Sequence, residues 1–436
     1  MTWYNTPVAF NRVAFYHDKA KQGMRLPEEY ASERNRRERF IMYRQILHTP
    51  EGVRDIYNEE CRRKNRVQEL LHEVLHSYGY EDIQTPTFEF FDVFSREVGT
   101  VPSRELYKFF DREGNTLVLR PDITPSIARA VAKYFTEDDM PVRLCYAANT
   151  FINHSDFQGR LKENTQIGAE LIGDGSVEAD AEMIALVAES LLRTGLSEFQ
   201  VSIGHVDFFK SLLREARLDE EMESALRELI SNKNIYGVRE LLEPLPIAAG
   251  LKEAFAAIPD LFGSVDVLER ADACAVTEDA KRALERLRKI HELLSCYGYE
   301  RYAAFDLGVV SKYKYYTGII FQAYTYGTGE AVAKGGRYDT LMDHFGKPAP
   351  ATGFAFVVDR LMNALSRQKV SVDAGIPKAM IVYRASRSAA AIQKAMELRK
   401  QGMVVELMPE RIGRDYEAYA EKNGIRKIIY AEEETV

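Results

Sequence analysis

Apolar and polar positions repeat along this chain with two periods, and the switches between them mark out its elements. From Asn58 to Tyr78, Val67, Leu70, Leu71, Val74, Leu75 and Tyr78 recur at helical spacing and form one stripe, with Gly79 placed to end the helix. IQTPTFEFFDVF follows, and DREGN reads as a hairpin turn between the runs YKFF and TLVL, feeding a strand that ends at Leu119. Pro121 breaks that strand, and a helix starts near Thr124 or Pro125, with Thr124 as N-cap and Pro125 as first helical residue. Period two returns in TQIGAELIG, which sets Gln166, Gly168 and Glu170 on one face and Ile167, Ala169 and Leu171 on the other, the pattern of a half-buried strand. Residues from about 206 to 300 are mostly helical in pattern, and their charge pairs predict a solvated face. His205, at the end of the strand-like FQVSIG, reads as structural rather than catalytic. SRQKVSVDAGIPKA reads as a linker around 366–376, and the segments from 377 to 436 alternate strand and helix, predicting a small α/β domain.

Composition adds bounds to this map. At 436 residues the chain has room for two or three domains, and 46% apolar with 28% charged residues excludes a disordered chain. A net charge of −8 argues against overall attraction to nucleic acid or anionic membrane. Cys61, Cys145, Cys274 and Cys296 form no C-x-x-C pair, which fits reduced thiols better than a disulfide framework or zinc ribbon. No run of eighteen apolar residues and no signal-like N-terminus occurs, so the expected location is the cytoplasm. Residues 1–41, containing ERNRRERF, lack a sustained apolar period and read either as a basic tail or as a start codon placed too far upstream. On the second reading that extension should be poorly packed.

Several stretches offer candidate chemistry. Glu170, if it points into a sheet, needs a cationic ligand or a nearby Lys or Arg, whereas on an outward strand edge it needs nothing. Asp122 and Thr124 sit at a strand-to-helix junction, where polar groups can be aimed into a pocket; capping alone explains Thr124 but not Asp122. HEVLH presents His72, Glu73 and His76 at the spacing of a zinc-protease helix. At 100° per residue both imidazoles fall opposite the apolar stripe, on a solvated face rather than in a cleft, and no metal site is expected. Gly327 and Gly329 lack a third spaced glycine, and Gly346-Lys347 precedes Pro348, so no phosphate loop and no cofactor site emerges.

TPEGVRDI, GYEDIQTPTFE, LYKFFDREGNTLVLRPD, TQIGAELIG, DAEMIAL, KYYTGIIFQAY, KGGRYDTL and ATGFAFVVDRL, in this order between Thr49 and Leu365, together resemble the catalytic core of histidyl-tRNA synthetase. The resemblance implies an α+β fold, a class II synthetase-like antiparallel sheet with helices over residues 42–365, with a helical insertion at about 206–300 and a dimer interface near its first motif. It also makes the segment 377–436 similar to a shortened anticodon-binding domain. There Lys plus Arg nearly balance Asp plus Glu, so the basic footprint for tRNA is lacking.

The departures from the synthetase pattern bear on function. Where synthetases carry F-R-x-E, this chain reads Phe151, Ile152, Asn153, His154; where they carry R-G-L-D-Y-Y-T, it reads from Ser311 to Thr317. The resemblance makes Ile152, His154 and Ser311 lost catalytic positions, and losing one positioned charge donor typically costs about a hundredfold or more in rate. Arg360, matching the third-motif arginine, is kept as a relic or an ion pair. Carried over by motif, Asp122, Thr124, Gln166, Glu170, Tyr316 and Tyr338 match positions that surround histidine in the synthetases, Asp122 being one methylene shorter than their usual Glu. Their carboxylates, amide and phenols suit an ammonium and a ring N–H.

A chain that keeps the amino-acid pocket but not the ATP chemistry resembles the regulatory subunits of ATP phosphoribosyltransferase. That resemblance implies a non-catalytic subunit of histidine biosynthesis, assembled with a short-form catalytic subunit and itself as a dimer or higher oligomer, with L-histidine as effector and no tRNA partner. A working histidyl-tRNA synthetase and a zinc protease are the alternatives.

Overall fold

A computed structural model describes residues 47–94, 101–154, 160–309, 316–372 and 377–431. The N-terminal stretch 1–41, Ser311, residues 373–376 of the linker and the acidic tail 432–436 lie outside the described residues.

The first apolar stripe forms α1 (Asn58–Ser77), which buries Val67, Leu71, Val74 and Leu75. Gly79 takes a left-handed backbone at φ +80°, which only glycine adopts without strain. Tyr80 N then bonds Leu75 O at 3.2 Å, turning the chain into the short β1 (Glu81–Asp82). β2 (Phe88–Phe90), β3 (Lys108–Phe110) and β4 (Thr116–Leu119) make a small antiparallel sheet in the order β2-β4-β3. Its DREGN turn closes as the spacing predicts, with Asn115 N donating to Asp111 Oδ1 at 2.7 Å. α2 (Thr124–Tyr134) begins at Thr124, so that residue is already helical, and Asp122 Oδ1 accepts from Ile123 N at 2.7 Å.

β5 (Val142–Phe151), β6 (Glu163–Ile172), α3 (Val177–Arg193) and β7 (Phe199–His205) follow. The insertion is helical: α4 (Val206–Ala216), α5 (Glu220–Ser231), α6 (Ile235–Leu242), α7 (Ala249–Ala257), α8 (Asp266–Asp272) and α9 (Glu278–Tyr297), with a two-residue β8 (Phe262–Gly263) among them. β9 (Ala303–Asp306), β10 (Ile319–Thr325), β11 (Ala333–Arg337), β12 (Ala351–Val357) and α10 (Val358–Arg367) complete the sheet and its cover. The nine strands run β1-β5-β6-β12-β11-β10-β7-β9-β8. Neighbours from β6 through β12, β11 and β10 to β7 are antiparallel, whereas β1 with β5 and β7 with β9 are parallel, so the α+β sheet is mixed rather than wholly antiparallel.

The half-buried pattern of TQIGAELIG is an underestimate. Ile167, Ala169 and Leu171 join the main core with α1 and α3, but Gly168 and Glu170 on the opposite face are buried as well. β6 is an interior strand with β5 and β12 on its two sides, so neither face is a free edge.

The C-terminal segment forms a parallel sheet, order β14-β13-β15, from β13 (Lys378–Tyr383), β14 (Val404–Pro409) and β15 (Lys427–Tyr430), with α11 (Ser388–Lys400) and α12 (Tyr416–Lys422). Separate apolar clusters fill its two faces, Ile381 with Ala395 on one and Met380 with Tyr416 on the other. The chain divides into two compact units, one holding Thr85–Ser126 and Asn149–Thr165, the other Tyr57–Gln84, Ile127–Ala148 and Gln166 onward. Among the described residues no helix is long and apolar enough to cross a membrane.

Candidate functional site

The polar face of β6 carries the centre of the site. Glu170 is buried, and Tyr338, the residue after β11, donates its hydroxyl to Glu170 Oε2. Burial first, and the Glu170 carboxylate second, raise the Tyr338 pKa well above the ordinary phenol range, so the phenol stays a donor. Gly353 of β12 is the Cα partner of Glu170, and a Cβ there would overlap Glu170 Oε2 and lie 2.7 Å from Ala169 O. A Cβ on Gly168 would overlap Phe354 O and lie 2.6 Å from the Tyr146 hydroxyl. The glycines therefore make room on this face for one carboxylate and two phenols.

Two more of the expected residues belong to the same unit. Gln166, four residues before Glu170 and so on the same face, has its carbonyl Oε1 buried with no hydrogen-bond partner among the described residues. Tyr316 is buried; a Cβ on Gly336 would come within 2.8 Å of its ring, and its backbone oxygen accepts from Lys210 Nζ at 3.1 Å. The charges of Glu170, Tyr146 and Tyr316 all add to the upward shift of the Tyr338 phenol. A buried carboxylate with an unfilled amide acceptor on the same face calls for a ligand that donates hydrogen bonds and carries positive charge.

Asp122 and Thr124 belong to the other compact unit. Thr124 is buried and Asp122 is partly buried at the junction ahead of α2. Arg120 fixes that junction: its guanidinium donates to Thr85 O at 2.7 Å, Asn149 O at 2.9 Å and Pro86 O at 3.1 Å. In the same unit Ile152 N bonds Lys162 O at 2.9 Å and Asn153 N bonds Glu105 O at 2.8 Å, so the F-R-x-E position continues β5 as backbone structure. His154 Nδ1 lies 3.8 Å from Glu105 Oε2. Ser311 lies outside the described residues. Arg360 pairs with Glu330 and donates to Ala331 O at 3.1 Å, which fits the ion-pair alternative.

Behind the pocket strand, Arg337 of β11 is buried and donates to Asp180 Oδ1 at 2.9 Å, while Arg286 Nε donates to Asp180 Oδ2 at 2.7 Å. Burial raises the Asp180 pKa against the pull of the two guanidinium groups. This Arg–Asp–Arg cluster ties β11 to α3 and α9 and holds Tyr338, the next residue, in place. His205 proves to be a helix cap, its Nδ1 accepting from Asp207 N at 3.2 Å. Gly353 and Tyr146 carry no motif that marks them as site residues in the sequence. The signals for them are the small residue in the strand ATGFAFV and the period-two run LCYAANT.

A family model described as histidyl-tRNA synthetase matches residues 52–361. An ATP phosphoribosyltransferase regulatory subunit from Acetivibrio thermocellus is 41% identical over 386 residues, covering 88% of this chain and 92% of the relative. A crystal structure from Bacillus halodurans C, described as an ATP phosphoribosyltransferase regulatory subunit/histidyl-tRNA synthetase, is 35% identical with a TM-score of 0.79, covering 88% of this chain and 98% of that one. A histidyl-tRNA synthetase structure from Nostoc sp. PCC 7120, 20% identical with a TM-score of 0.74 over 88% of this chain and 92% of that one, shares the fold. The chain therefore belongs to the family of ATP phosphoribosyltransferase regulatory subunits, built on the class II core of histidyl-tRNA synthetase.

Proposed function

We propose that this chain is a non-catalytic regulatory subunit that binds L-histidine and acts on a short-form ATP phosphoribosyltransferase catalytic subunit at the first step of histidine biosynthesis. The observation that carries the reading is the buried Glu170 carboxylate, held by Tyr338 on the strand face where the Gln166 carbonyl has no hydrogen-bond partner among the described residues. Histidine offers an ammonium and a ring N–H to those acceptors. Asp122 and Thr124 belong to the same histidine-binding set by family resemblance. The replacement of the synthetase cation and carboxylate by Ile152 and His154 supports the absence of adenylate chemistry, and so of an own catalytic activity.

Feedback is then a coupling between the histidine site here and the active site of the partner, typically about 1–3 kcal/mol, or 5–150-fold, and reciprocal for binding. The chain works in the cytoplasm, self-associates as a dimer or higher oligomer, and needs no tRNA; the near balance of charge after residue 377 supports the last point. Titration calorimetry of the full chain with histidine tests the reading: one site is expected, and Glu170→Ala should abolish it. Reconstitution with the catalytic subunit should raise its activity, and histidine should suppress that gain. The Bacillus halodurans C protein is also described as a histidyl-tRNA synthetase. Histidine-dependent exchange of pyrophosphate into ATP would favour that second reading and refute the first.

A further inference from the structure

The imidazoles of HEVLH do not stand alone in the fold. Asp82 of β1 and Cys145 of β5 are Cα partners in a parallel pair, so their side chains lie side by side on one face of the sheet. The turn at Gly79 sets the last turns of α1 over that face. His72 Nδ1 lies 3.3 Å from Asp82 Oδ1, His76 Nε2 lies 3.1 Å from Asp82 Oδ2, and Cys145 Sγ lies 3.5 Å from Asp82 Oδ1. One donor atom from each of the four residues falls within 4.8 Å of all the others.

We infer that His72, His76, Asp82 and Cys145 form a structural site for a tetrahedral divalent cation, zinc above all, that fastens the end of α1 to the sheet edge at β1 and β5. Bond lengths of about 2.0–2.3 Å in a tetrahedron put neighbouring donors about 3.3–3.8 Å apart; His72 Nδ1 and Cys145 Sγ, 3.3 and 3.5 Å from Asp82 Oδ1, stand at that spacing, while His76 Nε2 approaches the other oxygen, Oδ2, at 3.1 Å. Two imidazoles, a thiol and one carboxylate are the borderline-soft set that zinc takes, whereas magnesium and calcium ask for oxygen alone.

An ordinary hydrogen-bond cluster accounts for less. The 3.3 Å approach of His72 to Asp82 is longer than a normal N–H···O bond, and its other nitrogen, Nε2, is buried with no hydrogen-bond partner among the described residues. Nδ1 is the nitrogen that faces the cluster, so coordination there replaces the long Asp82 contact and leaves the ring proton on Nε2. The side chains of His76 and Asp82 are about half exposed, so an ion can enter from solvent, while Cys145 closes the inner side.

The same geometry separates this site from a protease. Glu73, the residue that would serve as base, faces Arg66 at 3.1 Å and Arg193 at 3.7 Å instead of the cluster. Four protein donors also leave no open position for a reactive water.

The test uses the full chain, stripped with a chelator under reducing conditions and titrated with cobalt(II) and then zinc(II). One equivalent of cobalt should bind, with tetrahedral visible bands and a thiolate-to-cobalt charge-transfer band, and zinc should displace it. Cys145→Ser should lose the charge-transfer band. His76→Ala, a change at an exposed ring, should leave the melting temperature of the metal-free chain nearly unchanged, weaken zinc binding by about a hundredfold or more, and remove the rise in melting temperature that zinc gives. Substoichiometric uptake, an octahedral spectrum without charge transfer, or a His76→Ala chain that binds like wild type would each overturn the site.

Discussion

Gly353 stands directly across the sheet from Glu170, and the space a methyl group would take on Gly353 is the space that Glu170 Oε2 occupies. The carboxylate can lie flat over the neighbouring strand only because that strand has no side chain there. Gly353→Ala should therefore push the carboxyl group off Tyr338. Overpacking of this kind costs about 1–3 kcal/mol, readable by denaturant unfolding. On the histidine-binding reading the affinity should also fall at least about tenfold by calorimetry, since a displacement worth 1.4 kcal/mol already does that.

The Tyr338 hydroxyl and the Glu170 charge can be separated by two conservative changes. Tyr338→Phe removes a donor from a buried carboxylate and should destabilise the chain by about 1–3 kcal/mol in the absence of ligand. Glu170→Gln keeps an oxygen that can accept from the phenol, so the stability loss should be smaller, while the attraction for a cationic ligand is gone. Thermal melts with and without histidine check both. A Glu170→Gln chain that is still stabilised by histidine would show that the charge is not what recognises it.

How far the sequence could be read depended on the range of the interaction. The period-two alternation of TQIGAELIG already put Gln166 and Glu170 on one face, because side-chain direction in a strand is set by parity alone. What alternation cannot supply is the neighbouring strand, so the depth of burial of Glu170 and the role of Gly353, nearly two hundred residues later, became visible only with the register between β6 and β12. HEVLH shows the same limit. Helical phase correctly leaves His76 exposed but not His72, whose ring is mostly buried, and the parallel pairing that sets Asp82 beside Cys145 joins residues 63 apart, which no local pattern announces. Residue type makes Thr124 an N-cap, whereas the helix starts on it and the carboxyl group of Asp122 takes the neighbouring amide.

The Arg337–Asp180–Arg286 cluster should behave as a unit. Asp180 is fully buried and Arg337 nearly so, so Asp180→Asn leaves a buried guanidinium with only the half-exposed Asp339, 3.1 Å away, as charge partner. Breaking a buried pair from one side costs about 3–5 kcal/mol. Arg286, whose side chain is 25% exposed, can turn toward solvent, so Arg286→Ala should cost less than Arg337→Ala. Urea unfolding of the three variants checks the order. Equal losses would mean that Arg337 is no better anchored than its more exposed partner.

His205 gives the chain a pH dependence whose sign can be worked out. Burial, and after it the charges of Arg286 and Arg337, lower its pKa to about 3, against about 6.5 for an unfolded histidine. The unfolded chain therefore binds one proton more than the folded chain anywhere between those values, and unfolding gains as pH falls. The contribution is fully present above pH 6.5 and is lost progressively below it, by about 1.4 kcal/mol at pH 5.5. His205→Asn keeps a side-chain acceptor suited to an N-cap, so the start of α4 is preserved while the titration is removed. Asp180, whose raised pKa works in the opposite direction, is common to both proteins and cancels in the comparison. The difference in unfolding free energy between wild type and His205→Asn should then shift in favour of the variant by about 1.4 kcal/mol between pH 7.5 and pH 5.5. Parallel stability curves for the two proteins would mean that the imidazole is protonated as easily in the folded chain as in the unfolded one.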